Sequence, residues 1–393
     1  MANYDGIEVS ERDPTEVYLD IGGGNIQMGR LQKENFTFIK EEDPRFVMTS
    51  SKCRIDSWNN IHSDRLPYPE LHNYWMENNI SRNDYLYHTT PSPFSAFAHP
   101  EHITVTLTAE NMLGKRVYCR YYNCNRQELP DAFQSVVFPE STVYCGRRAG
   151  AKYISISEDK VAVPETPIPI KNRISNGPQH YFTVCLAPLY GDEPKFIQIV
   201  DFIEYHKLQG ATFFHIYLRN ASNYDRMLLD DYVRTGEIEV ITLNDHYWRA
   251  DYMWHMMQIN DCHMRSVNFA KWTTFLDLDE RIEMKKDWRI VDFLDTVTNP
   301  NVINLQFKVQ WVLKDDLSPA KYENDEQFIE NLVFRKFHNT SRVQPLLQPK
   351  SIVRPDRCLH RVKQVYDTIR VSCDQMQKMY NHHGLTHPCV DQK

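Results

Sequence analysis

At 393 residues the chain is long enough for about two domains. Its 41% apolar and 25% charged residues are ordinary for a soluble globular protein. A net charge of −7 and the lack of a long basic run exclude nucleic acid as an expected partner, because a polyanion meets net repulsion. A small phosphorylated ligand can still be held by a local metal and a few cations. No stretch reaches the roughly 18 apolar residues of a membrane span, and the N-terminus does not read as a signal peptide. No anchor or targeting segment is therefore expected in the chain as it stands. Nine cysteines is generous for a cytosolic enzyme, and the odd count leaves at least one unpaired. No C-x-x-C pair is present, so a zinc site is not expected. Four N-x-[ST] sequons, at Asn35, Asn79, Asn220 and Asn339, are weak evidence for glycosylation.

The first 178 residues read as β-rich, a small sandwich behind an irregular first 50. Ile103-Thr-Val-Thr-Leu-Thr108 alternates apolar and polar positions, the mark of a half-buried strand. Lys115 to Tyr122 and Ala151 to Ile156 are similar, broken by turn signals at Leu113-Gly114 and Arg148-Ala-Gly150. Aromatics are dense between Trp58 and Phe97. They either fill a core or an interdomain seam, or offer rings to carbohydrate. The run from Val163 to Pro178, rich in proline and closed by Asn-Gly-Pro, reads as an extended linker. It divides the chain into an N-terminal domain over 1–178 and a second over 179–393.

From Tyr181 the pattern changes to alternating strands and helices. Tyr181 to Pro188 is a short apolar run suited to a buried parallel strand. Asp192-Glu-Pro194 supplies a candidate N-cap and first-turn proline, Phe196, Ile199, Val200 and Ile203 recur at helical spacing, and Gly210 ends the helix. Thr212 to Leu218 is a strand, Tyr224 to Arg234 a helix, Glu237 to Leu243 a strand, Asp251 to Phe269 a helix and Lys271 to Leu278 a strand. This order implies a mostly parallel, Rossmann-like sheet, with ligands bound beyond the carboxyl ends of its strands.

The last of those strands ends in Asp277-Leu-Asp279-Glu280. On an extended backbone, positions i and i+2 face the same way, so Asp277 and Asp279 are expected to converge on one point. Two hard oxygen donors there suit Mg²⁺ or Mn²⁺, completed by a substrate's phosphates. Taken alone, the pair also reads as a strand closing into a solvated turn. Glu280 faces away and reads as a support residue.

Several motifs in register carry a family resemblance. Thr183-Val-Cys-Leu-Ala-Pro-Leu189, Phe202-Ile-Glu204-Tyr-His206-Lys-Leu-Gln-Gly210, Asn260-Asp261-Cys262, Phe275-Leu-Asp277-Leu-Asp279-Glu280 and Lys350-Ser-Ile-Val-Arg354-Pro355 resemble glycosyltransferase family 92 in the expected order. The resemblance spans about Tyr181 to His383. It implies a GT-A fold, a nucleotide-sugar-binding α/β domain with an Asp-x-Asp metal site, here behind a smaller β-rich domain. It also implies Mn²⁺-dependent (or Mg²⁺-dependent), inverting transfer of galactose from UDP-galactose to a glycan or glycoprotein, such as the fucose of an N-glycan core. Family members are Golgi proteins with a membrane anchor that this chain does not show.

On that template Asp279 binds the metal, and Asp277 binds the metal or the ribose. His382 or His383 supplies a further ligand, unless the two form a surface pair. Ala187, Pro188, Leu189 and Tyr190 border the nucleoside. Arg249 and Arg265 are donor contacts, with an ion pair the alternative for Arg265. Glu204 and His206 lie along a helix and read as structural. The general base that inversion requires falls to Asp315 or Asp316, unless these belong to a solvated loop. The chain reads Leu313-Lys-Asp-Asp-Leu-Ser318 where many family members are glycine-rich. Two other functions fit less well. One is a catalytically silent glycan-binding or scaffold protein on the same fold. The other is a haloacid-dehalogenase-like phosphatase, where Arg281 stands in place of the usual Thr or Val.

Overall fold

The protein is described by a computed structural model over residues 2–3, 61–62, 65–78, 91–109, 112–244, 254–284, 288–307, 309–312, 318–337, 341 and 350–357. Strands and helices are numbered here in chain order. Within that range it is a mixed α/β protein with one large sheet in each half.

The first sheet is built from β2 (Ile61–His62), β3 (Pro93–Ala98), β4 (His102–Leu107), β5 (Arg116–Tyr122), β6 (Phe133–Val136), β7 (Thr142–Arg148), β8 (Tyr153–Ser157) and β9 (Ile168–Asn172), behind the helix α1 (Pro69–Asn78). Its order is β2-β7-β4-β3-β9-β8-β5-β6, and all neighbours are antiparallel except β3 and β9. The sheet folds over its own apolar face. A disulfide joins Cys119 on β5 to Cys145 on β7, and both cysteines lie in one cluster with Ile103, Val105, Leu107, Ile154 and Ile156. The proline-rich linker proves otherwise at its centre. Residues 168–172 form β9, which pairs with both β3 and β8. Prolines are tolerated there because Ile168, Ile170 and the residues around them still find ladder partners.

The second sheet holds β10 (His180–Leu189), β11 (Phe213–Leu218), β12 (Ile238–Thr242), β13 (Ala270–Leu276), β15 (Asn304–Phe307) and β16 (Lys350–Val353). Its order is β12-β11-β10-β13-β16-β15. The first four strands are mutually parallel, whereas β16 runs antiparallel to both β13 and β15. Counted along the chain, the parallel strands lie 3-2-1-4. The order therefore reverses between β10 and β13, the place beyond whose carboxyl ends open α/β sheets bind their ligands. A short ladder also joins β1 (Ala2–Asn3) to β14 (Ile282–Glu283).

Period-2 alternation explains how this sheet is filled. Phe182, Val184 and Leu186 of β10 face α2 (Phe196–Leu208) and α3 (Asn223–Thr235), sharing a core with Ile199, Ile203, Leu228 and Leu229. Cys185, on the opposite face, is disulfide-bonded to Cys262 of α4 (Trp254–Ser266), beside Tyr217, Trp254 and Phe275. Cys124 is disulfide-bonded as well.

Helix starts differ from expectation at one place. Asp192 does not cap α2, which begins at Phe196. The Lys195 N–H at its start donates instead to the buried Asp225 carboxylate of α3, at 3.1 and 3.3 Å. Ser222 caps α3, accepting the Asp225 N–H at 3.1 Å. Ser222→Ala should cost about 1 kcal/mol, read as a lower urea midpoint with an unchanged slope. At the other end of α2, Gly210 has φ +94°, and a Cβ there would meet the Val291 side chain at 2.4 Å. Both features call for glycine.

The two halves are joined through α4. One side of α4 lies on β10 and β13, and the other on β3 and β4. Expected to be half-buried, β4 is closed on both faces: Ile103, Val105 and Leu107 enter the first core, while Thr104 and Thr106 turn toward α4 and are equally buried. The Thr106 hydroxyl donates to Asp261 at 2.6 Å. Lys171 of β9 pairs with Glu239 of β12, and Arg173, just past that strand, donates to the Arg265 carbonyl at 3.1 Å.

Candidate functional site

Strand β13 is buried from Trp272 to Leu276, paired with β10 on one side and, at Thr273 and Thr274, with β16 on the other. It stops where acidic residues begin. Asp277 to Glu280 form a turn, closed by the Glu280 N–H donating to the Asp277 carbonyl at 3.1 Å. The Glu280 carboxylate reaches back to accept the Asp277 N–H at 2.8 Å. The acid pair thus sits on a turn, not on extended backbone, and the same-face argument for Asp277 and Asp279 does not carry over. Asp279 is exposed and borders a crevice toward α2, with Gln198, Tyr205, Arg281 and Phe334. Asp277 looks toward β16 and α4.

Two partners meet Asp277. Lys350, at the start of β16, donates to Asp277 Oδ2 at 3.0 Å, and its Nζ lies 2.6 Å from Glu280 Oε1. His255, on the first turn of α4, puts Nε2 at 3.9 Å from Asp277 Oδ1. Burial works to raise the Asp277 pKa, but the Lys350 ammonium and His255 outweigh it and hold the carboxyl below its ordinary value. Burial and then the Asp277 charge push Glu280 the other way. For Lys350, burial opposes the charge, and the two carboxylates more than restore it. The result is an anionic carboxylate where strand order reverses, with one oxygen taken and the other facing an imidazole. Among the described residues, no three or more His, Cys, Asp or Glu side chains come together as a metal cluster.

The other expected site residues fall out unevenly. Ala187, Pro188 and Leu189 are buried members of β10, so they form the wall of the strand and not a loop. The Leu189 carbonyl accepts from the N–H groups of Arg219 and Asn220 at 2.8 and 3.1 Å, which ties β10 to the end of β11. Tyr190 alone emerges, 48% exposed. Arg265 is not at the strand ends: its side chain is 1% exposed and faces Asp261, Glu239 and Ser95 between the two halves. The ion-pair alternative describes it. Glu204 and His206 are buried in α2. The Glu204 carboxylate accepts from the Tyr232 hydroxyl at 2.8 Å, and burial lowers His206 to about 4. His206 also lines the crevice that Asp279 borders. Arg249, Asp315, Asp316, His382 and His383 lie outside the described residues.

Two residues beside Asp277 have no counterpart in the sequence reading of the site. Lys350 opens the Lys-Ser-Ile-Val-Arg-Pro stretch noted above, but nothing in its spacing points to Asp277, 73 residues away. His255 carries no local signal, since a histidine in an amphipathic helix is ordinary.

Open, mostly parallel α/β sheets bind their ligands at such a reversal of strand order, which makes the end of β13 the candidate site. The chain belongs to glycosyltransferase family 92: the family model matches residues 180–387, starting at the first residue of β10. The chain is also similar to the beta-1,4-galactosyltransferase galt-1 of Caenorhabditis elegans, 23% identical over 269 residues, which cover 63% of this chain and 61% of that protein.

Proposed function

We propose that the protein is a glycosyltransferase that moves a hexose from a nucleotide-diphosphate sugar to a glycan hydroxyl, on a GT-A-type domain. Family membership and the similarity to a galactosyltransferase support galactose, carried by UDP-galactose, as the donor sugar. The observation that carries the reading is the position of Asp277, ionised at the reversal of strand order between β10 and β13. A glycan with an exposed fucose is the acceptor that the family resemblance favours.

Either carboxylate of the turn is a hard oxygen donor suited to a divalent cation such as Mn²⁺, with Asp277 aimed toward β16 and α4 and Asp279 toward α2. Asp277 Oδ1 is an anionic oxygen that Lys350 leaves uncovered, and Asp279 is an exposed carboxylate two positions on. When bound, such a cation offsets the charge that grows on the departing diphosphate. The chain's own residues do the rest. Lys350 and Glu280 hold the turn in one shape, and Tyr190 offers an exposed ring at the nucleoside side. An acceptor hydroxyl then attacks the anomeric carbon opposite the diphosphate. The new C–O bond forms as the old one breaks, and the hydroxyl proton passes to a carboxylate, for which Asp315 and Asp316 are the proposed candidates.

The disulfides support an oxidising compartment, and with the family resemblance the Golgi lumen is the proposed location. Cys119–Cys145 and Cys185–Cys262 are buried at both ends, a pattern that belongs to proteins folded outside the reducing cytosol. Among the described residues, no helix is long and apolar enough to cross a membrane.

UDP should raise the melting temperature only when Mn²⁺ is present, since ligand that binds the native state alone adds stability. At 100 times its Kd the added stability is about 2.7 kcal/mol. Asp279→Ala should abolish that shift. Incubation with UDP-galactose and a mixed glycan pool should add one hexose by mass spectrometry. Release of free phosphate without transfer would identify a phosphatase. A UDP shift indifferent to Mn²⁺, with no transfer, would leave the glycan-binding reading.

A further inference from the structure

We infer that Asn220 carries an N-linked oligosaccharide, set on the connection between β11 and α3, beside the loop that follows β10. The inference takes only the luminal compartment from the reading above. Its place in the fold is the first observation. Of the four sequons, Asn220-Ala-Ser222 alone lies whole within the described residues. It occupies an irregular connection just past the end of β11, and Asn220 is exposed there. An oligosaccharide is bulky and hydrophilic, so an asparagine that carries one belongs on such a surface connection.

The second observation is how the side chain is used. Asn220 Nδ2 donates to Asp192 Oδ1 at 2.8 Å, and Asp192 is exposed as well. A carboxamide nitrogen has two hydrogens to donate. Attachment consumes one of them. Nδ2 bonds to the anomeric carbon of a lipid-diphosphate-linked oligosaccharide, and the C–O bond to the diphosphate breaks. The diphosphate leaves with the electron pair, and one amide hydrogen departs as a proton. The hydrogen that remains is enough to keep Asp192, so the folded loop accepts the modification without losing its contact.

The third observation concerns the hydroxyl of the sequon. In the folded protein Ser222 caps α3, accepting the Asp225 N–H at 3.1 Å and donating to Asp225 Oδ2 at 2.8 Å. Before α3 forms, that hydroxyl and Asn220 both lie on unfolded chain, open to the enzyme that transfers the oligosaccharide. The buried disulfides Cys119–Cys145 and Cys185–Cys262 support folding in the oxidising compartment where sequons are modified. The Asn220 N–H donates to the Leu189 carbonyl at 3.1 Å, so the attached sugar stands close to Tyr190 and keeps that end of the sheet in solvent.

The test uses the full chain isolated from eukaryotic cells. Peptide N-glycosidase in ¹⁸O-water turns each glycosylated asparagine into ¹⁸O-labelled aspartate, read by peptide mass spectrometry against an enzyme-free control. The expected result is label at Asn220. Ser222→Asn should lose it, although asparagine caps a helix as well as serine does, and Ser222→Thr should retain it. Label at Asn35, Asn79 or Asn339 but not at Asn220 overturns the assignment and leaves the compartment standing. Label that persists in Ser222→Asn reports deamidation and overturns it too. No label at any of the four sites overturns both the assignment and the luminal location, while the sugar-transfer assay decides the transferase reading independently.

Discussion

Asp261→Ala should destabilise the protein by about 3–5 kcal/mol, the cost of leaving a buried partner charge unpaired. Asp261 is fully buried and accepts from Thr106, Tyr217 and the Arg265 guanidinium, the last at 3.1 and 2.9 Å. Arg265 in turn donates to Glu239 and Ser95, each at 2.8 Å, and lies 5.0 Å from the centre of the Phe97 ring. These partners come from β3, β4, α4, β11 and β12, so the cluster is the rivet between the two sheets. Removing one carboxylate leaves the guanidinium, a phenol and a hydroxyl short of an acceptor where water does not reach. The paired Asp261→Leu/Arg265→Met change should cost clearly less than the sum of the two single ones, because it removes both charges together. Chemical denaturation of the four proteins measures this. Additive losses would mean that the two residues act independently.

On the proposed reading, with Asp277 as a metal ligand, Asp277→Asn should lower sugar transfer at least about 100-fold. Loss of a residue that merely supports a metal ligand costs 10–100-fold, and a ligand itself should cost more. The substitution keeps the size of the side chain but removes the anion that Lys350 and His255 face. Lys350 retains Glu280 at 2.6 Å, so the fold should survive with a melting temperature close to that of the unsubstituted protein in the absence of ligand. The stabilisation by UDP with Mn²⁺ should disappear. Measuring kcat, KM and the UDP shift together separates the outcomes. Unchanged kcat with intact Mn²⁺ dependence would move the site away from β13.

How much of this was legible in the sequence depends on the range of each interaction. The strands Thr212 to Leu218 and Lys271 to Leu278 were readable because apolar side chains must leave water, and that need writes a short apolar run into the chain. Ser222 before α3 and Gly236 after it are visible by the same logic, since caps are satisfied within one turn. The linker misread at 168–172 marks the limit. Proline-rich sequence signals extended backbone, but only the presence of β3 and β8 on either side makes it a strand. The polar face of β4 shows the same limit, because alternation reports a face without apolar groups and cannot say whether water or Asp261 meets it.

The site divides along the same line. Sequence alone determined that two carboxylates follow an apolar strand in an alternating α/β region, and family membership follows from motifs that are local in the chain. Only the tertiary structure decided that β13 lies beside β10, so that Asp277 stands where the strand order reverses. It also decided that the pair sits on a turn, that Lys350 ties down one oxygen of Asp277, and that His255 faces the other. Local periodicity records which residues an element buries. Which elements become neighbours is set by pairing over tens of residues, and no short stretch of sequence carries that information.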